Sequence, residues 1–290
     1  MDIKSPCNPI NEKEFFLLNN YVLQSCGICI PFEKAYLFET RLSNIMLDAG
    51  AKSFGELYDI LISDKDPSLH QKVINAITTN ETLWFRDEFP WKYLEERILP
   101  VWVDELITGR KAKVRIWSAA VSTGQEIYST VMCVDNYLQK NKVKGVTLSD
   151  FDFFATDIST DVLDTAKIGR YNKICMSRGL DDYYKKKYFT KDNAEWIIDP
   201  KIRDAVRFLH FNLTNDYKNF GLFDIIFCRY ILIYFPDDTK KEVLSRMSDM
   251  LMDTGILFSG ISIFSDLFED SFHVNHSEEI IYYTKKTKPL

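Results

Sequence analysis

The stretch RIWSAAVSTGQEIYS, residues 115–129, reads as an apolar strand that enters a turn of small residues and leaves it as a helix. The turn, from Ser118 to Gly124, carries one glycine. Neither the three-glycine dinucleotide pattern GxGxxG nor the GxxxxGK phosphate loop is present, so the turn is not built to cradle a pyrophosphate. Side chains this small still let the backbone pass close to a ligand.

Outward from that turn the pattern repeats. KVRIWSAA predicts a strand, residues 125–139 a helix, FDFFATDI a second strand and residues 160–169 a second helix, which together imply parallel strands under right-handed crossovers. Two later runs, AVRFLHF (205–211) and FDIIFCRY (223–230), are apolar enough to predict central strands buried on both faces. A helix over 238–252, a strand in ILFSGI and an antiparallel hairpin in SFHVNHSEEIIYYTKK complete the sheet, with the hairpin at its edge. Residues 171–202 are irregular and charged and read as an insertion. One helix, 89–107, precedes the first strand. Before it the sequence predicts only helices, opened by Asn11 with Glu14, by Pro31, by Ser53 with Glu56, and by Pro67. The expected organisation is a helical domain over 1–85 and an α/β domain over 86–290.

Composition narrows the function classes. The chain has 290 residues, of which 46% are hydrophobic and 27% charged, with 11 glycines and 9 prolines, as in an ordinary globular protein. A net charge of -6 argues against nucleic acid as a partner. The N-terminus lacks a secretory pattern, and the longest apolar stretch, FDIIFCRYILIYF (223–235), is short and holds Asp224 and Arg229, so the expected location is cytoplasmic with no membrane insertion. Cys26 and Cys29 form a lone CxxC without further ligands, and no metal site is expected.

In a doubly wound sheet, ligands sit beyond the carboxyl ends of the strands. Asp157 falls there, after the second strand, where a carboxylate can accept hydrogen bonds from both hydroxyls of a ribose. It could equally begin the next helix as an N-terminal anion. Glu126, in the first turn of the preceding helix, is open to the same structural reading. Arg229 interrupts an apolar run, and a charge so placed is paired or belongs to a site.

Five ordered segments resemble one family. TTNETLWFRDEFPW (78–91), RIWSAAVSTGQEIYS (115–129), FFATDISTDVLDTAKIGRY (153–171), FDIIFCRYILIYF (223–235) and GILFSGISIFSDL (255–267) are similar to the chemotaxis receptor methyltransferases, the CheR family. The resemblance spans about residues 10 to 284. It implies a Rossmann-like class I methyltransferase sheet that binds S-adenosylmethionine, releases S-adenosylhomocysteine and methylates glutamate side chains of the helical cytoplasmic bundle of chemoreceptors. It further implies that Asn80 and Thr82 line the cofactor cleft, that Arg86 pairs with the cofactor carboxylate, and that Glu126 contacts the cofactor. By the same resemblance Asp157 holds the ribose, Asn212 and Leu213 border the adenine, Arg229 and Tyr230 close the end of the fourth strand, and Tyr234 faces the transfer site.

Four departures accompany the resemblance. Tyr230 stands where the family commonly has Asn, and Ile127 where it commonly has Pro. The second N-terminal helix holds only Lys34 and Arg41 against Glu33, Glu39 and Asp48, which weakens a basic docking surface. YFTKDNAEWIID (188–199) is short for the family's small β-subdomain, as in members that need no pentapeptide tether on the receptor. The alternatives are a cofactor-binding regulatory module without efficient transfer, or a methyltransferase with another acceptor.

Overall fold

The computed structural model describes residues 9–63, 66–260, 265–277 and 280–286. Four helices come first: α1 (Glu12–Cys26), α2 (Tyr36–Asp48), α3 (Phe54–Ile62) and α4 (Pro67–Ile77). Asn11 and Glu14 exchange hydrogen bonds as a capping box at the start of α1. Ser53 caps α3 by accepting from Glu56 N, while the Glu56 carboxylate reaches the Lys52 N–H rather than that of Ser53. Pro31 opens a single 3-10 turn, Phe32–Lys34, ahead of α2.

The predicted helix over 89–107 is divided. α5 (Phe89–Tyr93) and α6 (Leu99–Ile107) join through a π turn, Leu94–Ile98, beside Pro100, which has no N–H to donate. Then come β1 (Val114–Ala119), α7 (Gln125–Lys140), β2 (Phe151–Asp157) and α8 (Thr160–Ile168). The insertion is a small antiparallel sheet, ordered β3-β5-β4, from β3 (Arg170–Asn172), β4 (Phe189–Asp192) and β5 (Glu195–Ile198), with short helices α9 (Lys173–Met176), α10 (Asp182–Tyr188) and α11 (Pro200–Arg203). The chain returns through β6 (Val206–His210), β7 (Phe223–Phe227), α12 (Asp237–Asp249), β8 (Leu251–Phe258) and α13 (Ser265–Phe268) to the hairpin β9 (Phe272–Ser277) and β10 (Ile280–Lys285). The middle of the GISIFSDL segment, residues 261–264, and the hairpin turn, 278–279, lie outside the described residues.

The main sheet has seven strands in the order β6-β2-β1-β7-β8-β10-β9, parallel except for β10, which is antiparallel to both of its neighbours. This is the Rossmann-like class I methyltransferase sheet preceded by an all-helical unit. β7 is buried along its whole length, as its apolar run predicts. β6 is not a central strand. It pairs only with β2 at one edge, and Leu209 is 40% exposed. An apolar run reports a strand but not its neighbours; Arg207 and His210 are the residues that suit an edge.

Alternate residues of β1 serve two cores. Val114 and Ile116 pack with α7 and the insertion, whereas Trp117 and Ala119 join the core that includes α1 to α4. The helical unit thus covers one face of the sheet. Polar contacts fix its position: Gln71 Nε2 donates to Ile158 O at 3.0 Å, Asn75 bonds Thr160 and Asp161, and Asn212 Nδ2 donates to Ser25 O at 2.9 Å.

Candidate active site

Strand order reverses at β1, with β2 on one side and β7 on the other, so a crevice opens at their carboxyl ends. Register brings the ends level: Ala119 pairs with Thr156, and the Val121 N–H then bonds Thr156 O at 2.9 Å. The turn after β1 is left-handed at Ala120, Ser122 and Gly124 (φ 60°, 54° and 97°). At Gly124 a Cβ would stand 2.8 Å from the Tyr128 ring, so glycine is required where the chain enters α7. Bent this way, the turn directs the Ser122 N–H to Asp157 Oδ2 at 2.8 Å.

Asp157 sits both beside a helix start and on the cavity wall. Its Oδ1 accepts the Ser159 N–H at 2.9 Å near the start of α8, and the same side chain lines the cavity beyond the sheet. Burial raises its pKa above the ordinary carboxylate value, opposed by the backbone N–H groups of Ser159, Ser122 and Ile158 and by His210. A carboxylate has about four lone-pair positions, so these bonds leave it capacity to accept more.

That cavity has a volume of about 370 Å³ and lies between the helical unit and the sheet tips. Asn80, Arg86, Asp157, Asn212, Leu213, Arg229, Tyr230 and Tyr234 all line it. Thr82 and Glu126 do not; they line a smaller adjoining recess that shares Arg86, Arg229 and Tyr230 with the main cavity. Ile158 and Phe211 add apolar wall.

The charged residues are ordered around Arg229, whose side chain is 2% exposed. Its Nη1 donates to Glu126 Oε2 at 3.2 Å, and its Nη2 donates to the Arg86 carbonyl and to the Asp87 carboxylate. Ser118 Oγ holds the other Glu126 oxygen at 2.6 Å. Arg229 is therefore neutralised by two carboxylates, as burial of a guanidinium demands, while its Nε has no partner among the described residues. Arg86 differs: among the described residues it makes no ion pair, and its Cζ lies 3.5 Å from the centre of the Tyr230 ring. The Tyr230 hydroxyl donates to Asp87, and burial, with that bond next, raises its pKa. Tyr234 is half-buried, with its carbonyl accepting from the Cys29 N–H at 2.9 Å.

Sequence reasoning missed Asp87, Ser122 and Ser118. Asp87 directly follows an arginine singled out by motif. The two serines were hidden in a turn read only for its small size. Ile127, in the position where proline is common, is fully buried in the core.

The sheet order is that of the Rossmann-like methyltransferase fold, with the cavity at its strand tips. The model of the "CheR methyltransferase, SAM binding domain" matches residues 80–279, and that of the "CheR methyltransferase, all-alpha domain" matches 13–78. Chemotaxis protein methyltransferase 1 of Pseudomonas aeruginosa is 38% identical over 275 residues, covering 94% of this chain and 98% of that one. Chemotaxis protein methyltransferase Cher2 of Pseudomonas putida is 37% identical over 268 residues (91% and 95%), and the chemotaxis protein methyltransferase of Vibrio anguillarum 34% over 278 (96% and 98%). The chain belongs to the CheR methyltransferase family. It is an S-adenosylmethionine-dependent methyltransferase of the chemotaxis type. Among the described residues no helix is long and apolar enough to cross a membrane.

Proposed function

We propose that the 370 Å³ cavity holds S-adenosylmethionine and that the chain methylates glutamate side chains of chemoreceptors. The observation that carries this reading is the convergence, on one cavity, of Asp157, Arg86 and the apolar walls Leu213, Ile158 and Phe211. These match the chemistry of the molecule: a diol for the buried carboxylate, a carboxylate for the guanidinium without an ion pair, and a flat purine for the apolar wall. The volume lies within the range of about 300–1,000 Å³ usual for small-molecule sites. When bound, the cofactor supplies a methyl group activated by a positive sulfur.

The protein's share of the chemistry is placement. A glutamate side chain has an ordinary pKa near 4.3 and is almost wholly ionised at neutral pH, so the acceptor needs no general base. Tyr234, at the cavity wall, orients the acceptor, and Arg229 with Glu126 and Asp87 keeps the walls rigid. Apolar lining limits water around the attracting charges of acceptor and cofactor. The division into a helical unit over 1–85 and a transfer unit over 86–290 belongs to the same proposal, as does a cytoplasmic site of action.

Receptor docking is direct in this reading, without a pentapeptide tether. Arg41, one of two cations on the second helical segment, is occupied in bonding Ile77 O and Thr78 O, which leaves Lys34 at the cavity rim. The test is transfer of labelled methyl to a receptor cytoplasmic fragment, followed by alkaline release. Label lost as volatile methanol identifies a carboxyl ester. Uptake of cofactor with no labelled acceptor would point instead to a regulatory module, and alkali-stable label to another acceptor. Calorimetry with a receptor tail peptide should show no binding; heat of binding would restore the tether.

A further inference from the structure

Tyr230 occupies a costly conformation. Its φ of 61° lies in the left-handed region, which a bulky residue adopts only where its surroundings impose it. The surroundings are visible. The Tyr230 N–H donates to Ser259 O at 3.3 Å, and one edge of the ring lies against Gly260, where an added Cβ would stand 2.9 Å from ring Cε2. In this pose the ring meets the Arg86 guanidinium at 3.5 Å, and the hydroxyl reaches Asp87.

The segment so gripped is itself unusual. Phe85, Asp87 and Glu88 all have positive φ (46°, 65° and 41°), although none is glycine. Four hydrogen bonds hold it: Ser129 Oγ accepts the Phe85 N–H at 3.0 Å, Arg229 donates to the Arg86 carbonyl, and Arg229 and Tyr230 both donate to the Asp87 carboxylate. These fix the backbone around Arg86. The long Arg86 side chain has no ion pair among the described residues, and its guanidinium rests on the ring.

We propose that Tyr230 is a positioning residue for Arg86: its ring holds the guanidinium ready for the carboxylate of the cofactor's amino-acid arm. The proposal rests on the assignment of Arg86 to that carboxylate. A freely rotating arginine loses most of its rotamer freedom on gripping an anion, and a stack made beforehand removes part of that loss. Aromatic stacking of a guanidinium is strong enough to do so at a half-buried site. The structural alternative is that Tyr230 merely fills space against Gly260.

Two ligands separate these roles. S-adenosylhomocysteine carries the amino-acid arm; 5′-methylthioadenosine keeps the nucleoside and sulfur but lacks it. Calorimetric affinities for both are measured with the full chain and with Tyr230→Leu, Tyr230→Phe and Arg86→Met. Tyr230→Leu should weaken S-adenosylhomocysteine roughly 3- to 20-fold and change 5′-methylthioadenosine by no more than about twofold. Added to Arg86→Met, it should cause no further loss of that preference. Tyr230→Phe keeps the ring and should keep most of the preference, which serves as the check if the leucine variant folds poorly. Equal weakening of both ligands by Tyr230→Leu, or loss of the preference in Tyr230→Phe as complete as in Arg86→Met, overturns the proposal. If Arg86→Met itself leaves the preference intact, the carboxylate assignment fails and takes the positioning role with it. If Arg86→Met abolishes the preference and Tyr230→Leu does not, the positioning role alone is wrong.

Discussion

Asp157 accepts the backbone N–H of Ser122 at 2.8 Å across 35 residues of sequence, and this bond ties the tip of β2 to the turn after β1. The same carboxylate lines the cavity, so one side chain both shapes the turn and forms part of the cavity wall. Replacing it by alanine should weaken S-adenosylhomocysteine binding by about 1–3 kcal/mol, measured by calorimetry. Unchanged affinity would remove Asp157 from the ribose assignment.

The pH dependence of binding follows from the same residue. Burial raises the Asp157 pKa above 3.8, and protonation reduces its acceptor capacity while backbone N–H groups already compete for it. Affinity for the nucleoside should therefore be full above the raised pKa and fall as pH drops through it, with a midpoint above 3.8. Asp157→Asn should bind more weakly at neutral pH and lose that part of the pH dependence. A profile identical in both proteins would show that another group titrates.

Arg229 is held by Glu126 and Asp87, and its side chain is 2% exposed. Arg229→Met leaves the Glu126 carboxylate, 12% exposed, without its partner, and should destabilise the ligand-free chain by roughly 3 kcal/mol in urea unfolding. Pairing it with Glu126→Gln should recover part of that loss, because the stranded charge is removed. Additive losses in the double variant would contradict a coupled pair.

Gly124 enters α7 at φ 97° with the Tyr128 ring against its α-carbon. Gly124→Ala should cost about 1–3 kcal/mol of stability, from backbone strain and displacement of the ring. Because the turn it closes carries the Ser122 N–H, S-adenosylhomocysteine affinity should fall along with it. A variant as stable as the parent would show that the turn tolerates a Cβ.

Much of this was legible from residue patterns. The alternation after residue 113 revealed the parallel sheet because strands buried on both faces and crossover helices leave different periodicities. Asn11 with Glu14 marked the start of α1 because capping is local chemistry. Neighbourhood was harder to read. In 205–211 the apolar run hides the edge position of β6, which only Arg207 and His210 hint at, and the strand pairs with β2 alone. The site followed the same rule. Strand-end positions pointed to Asp157 and Arg229, but the bond from Arg229 to Asp87 spans 142 residues and has no trace in either segment. Tyr230 looked like an intruder in the motif, and only the fold places its ring beneath Arg86.

The most direct test of the account is a crystal structure of the chain with S-adenosylhomocysteine. The account predicts one molecule in the cavity between the helical unit and the sheet, with ribose hydroxyls on Asp157, purine beside Leu213 and the carboxylate on Arg86. Ordered ligand density elsewhere on the chain, or a nucleoside bound there with its hydroxyls away from Asp157, would contradict it.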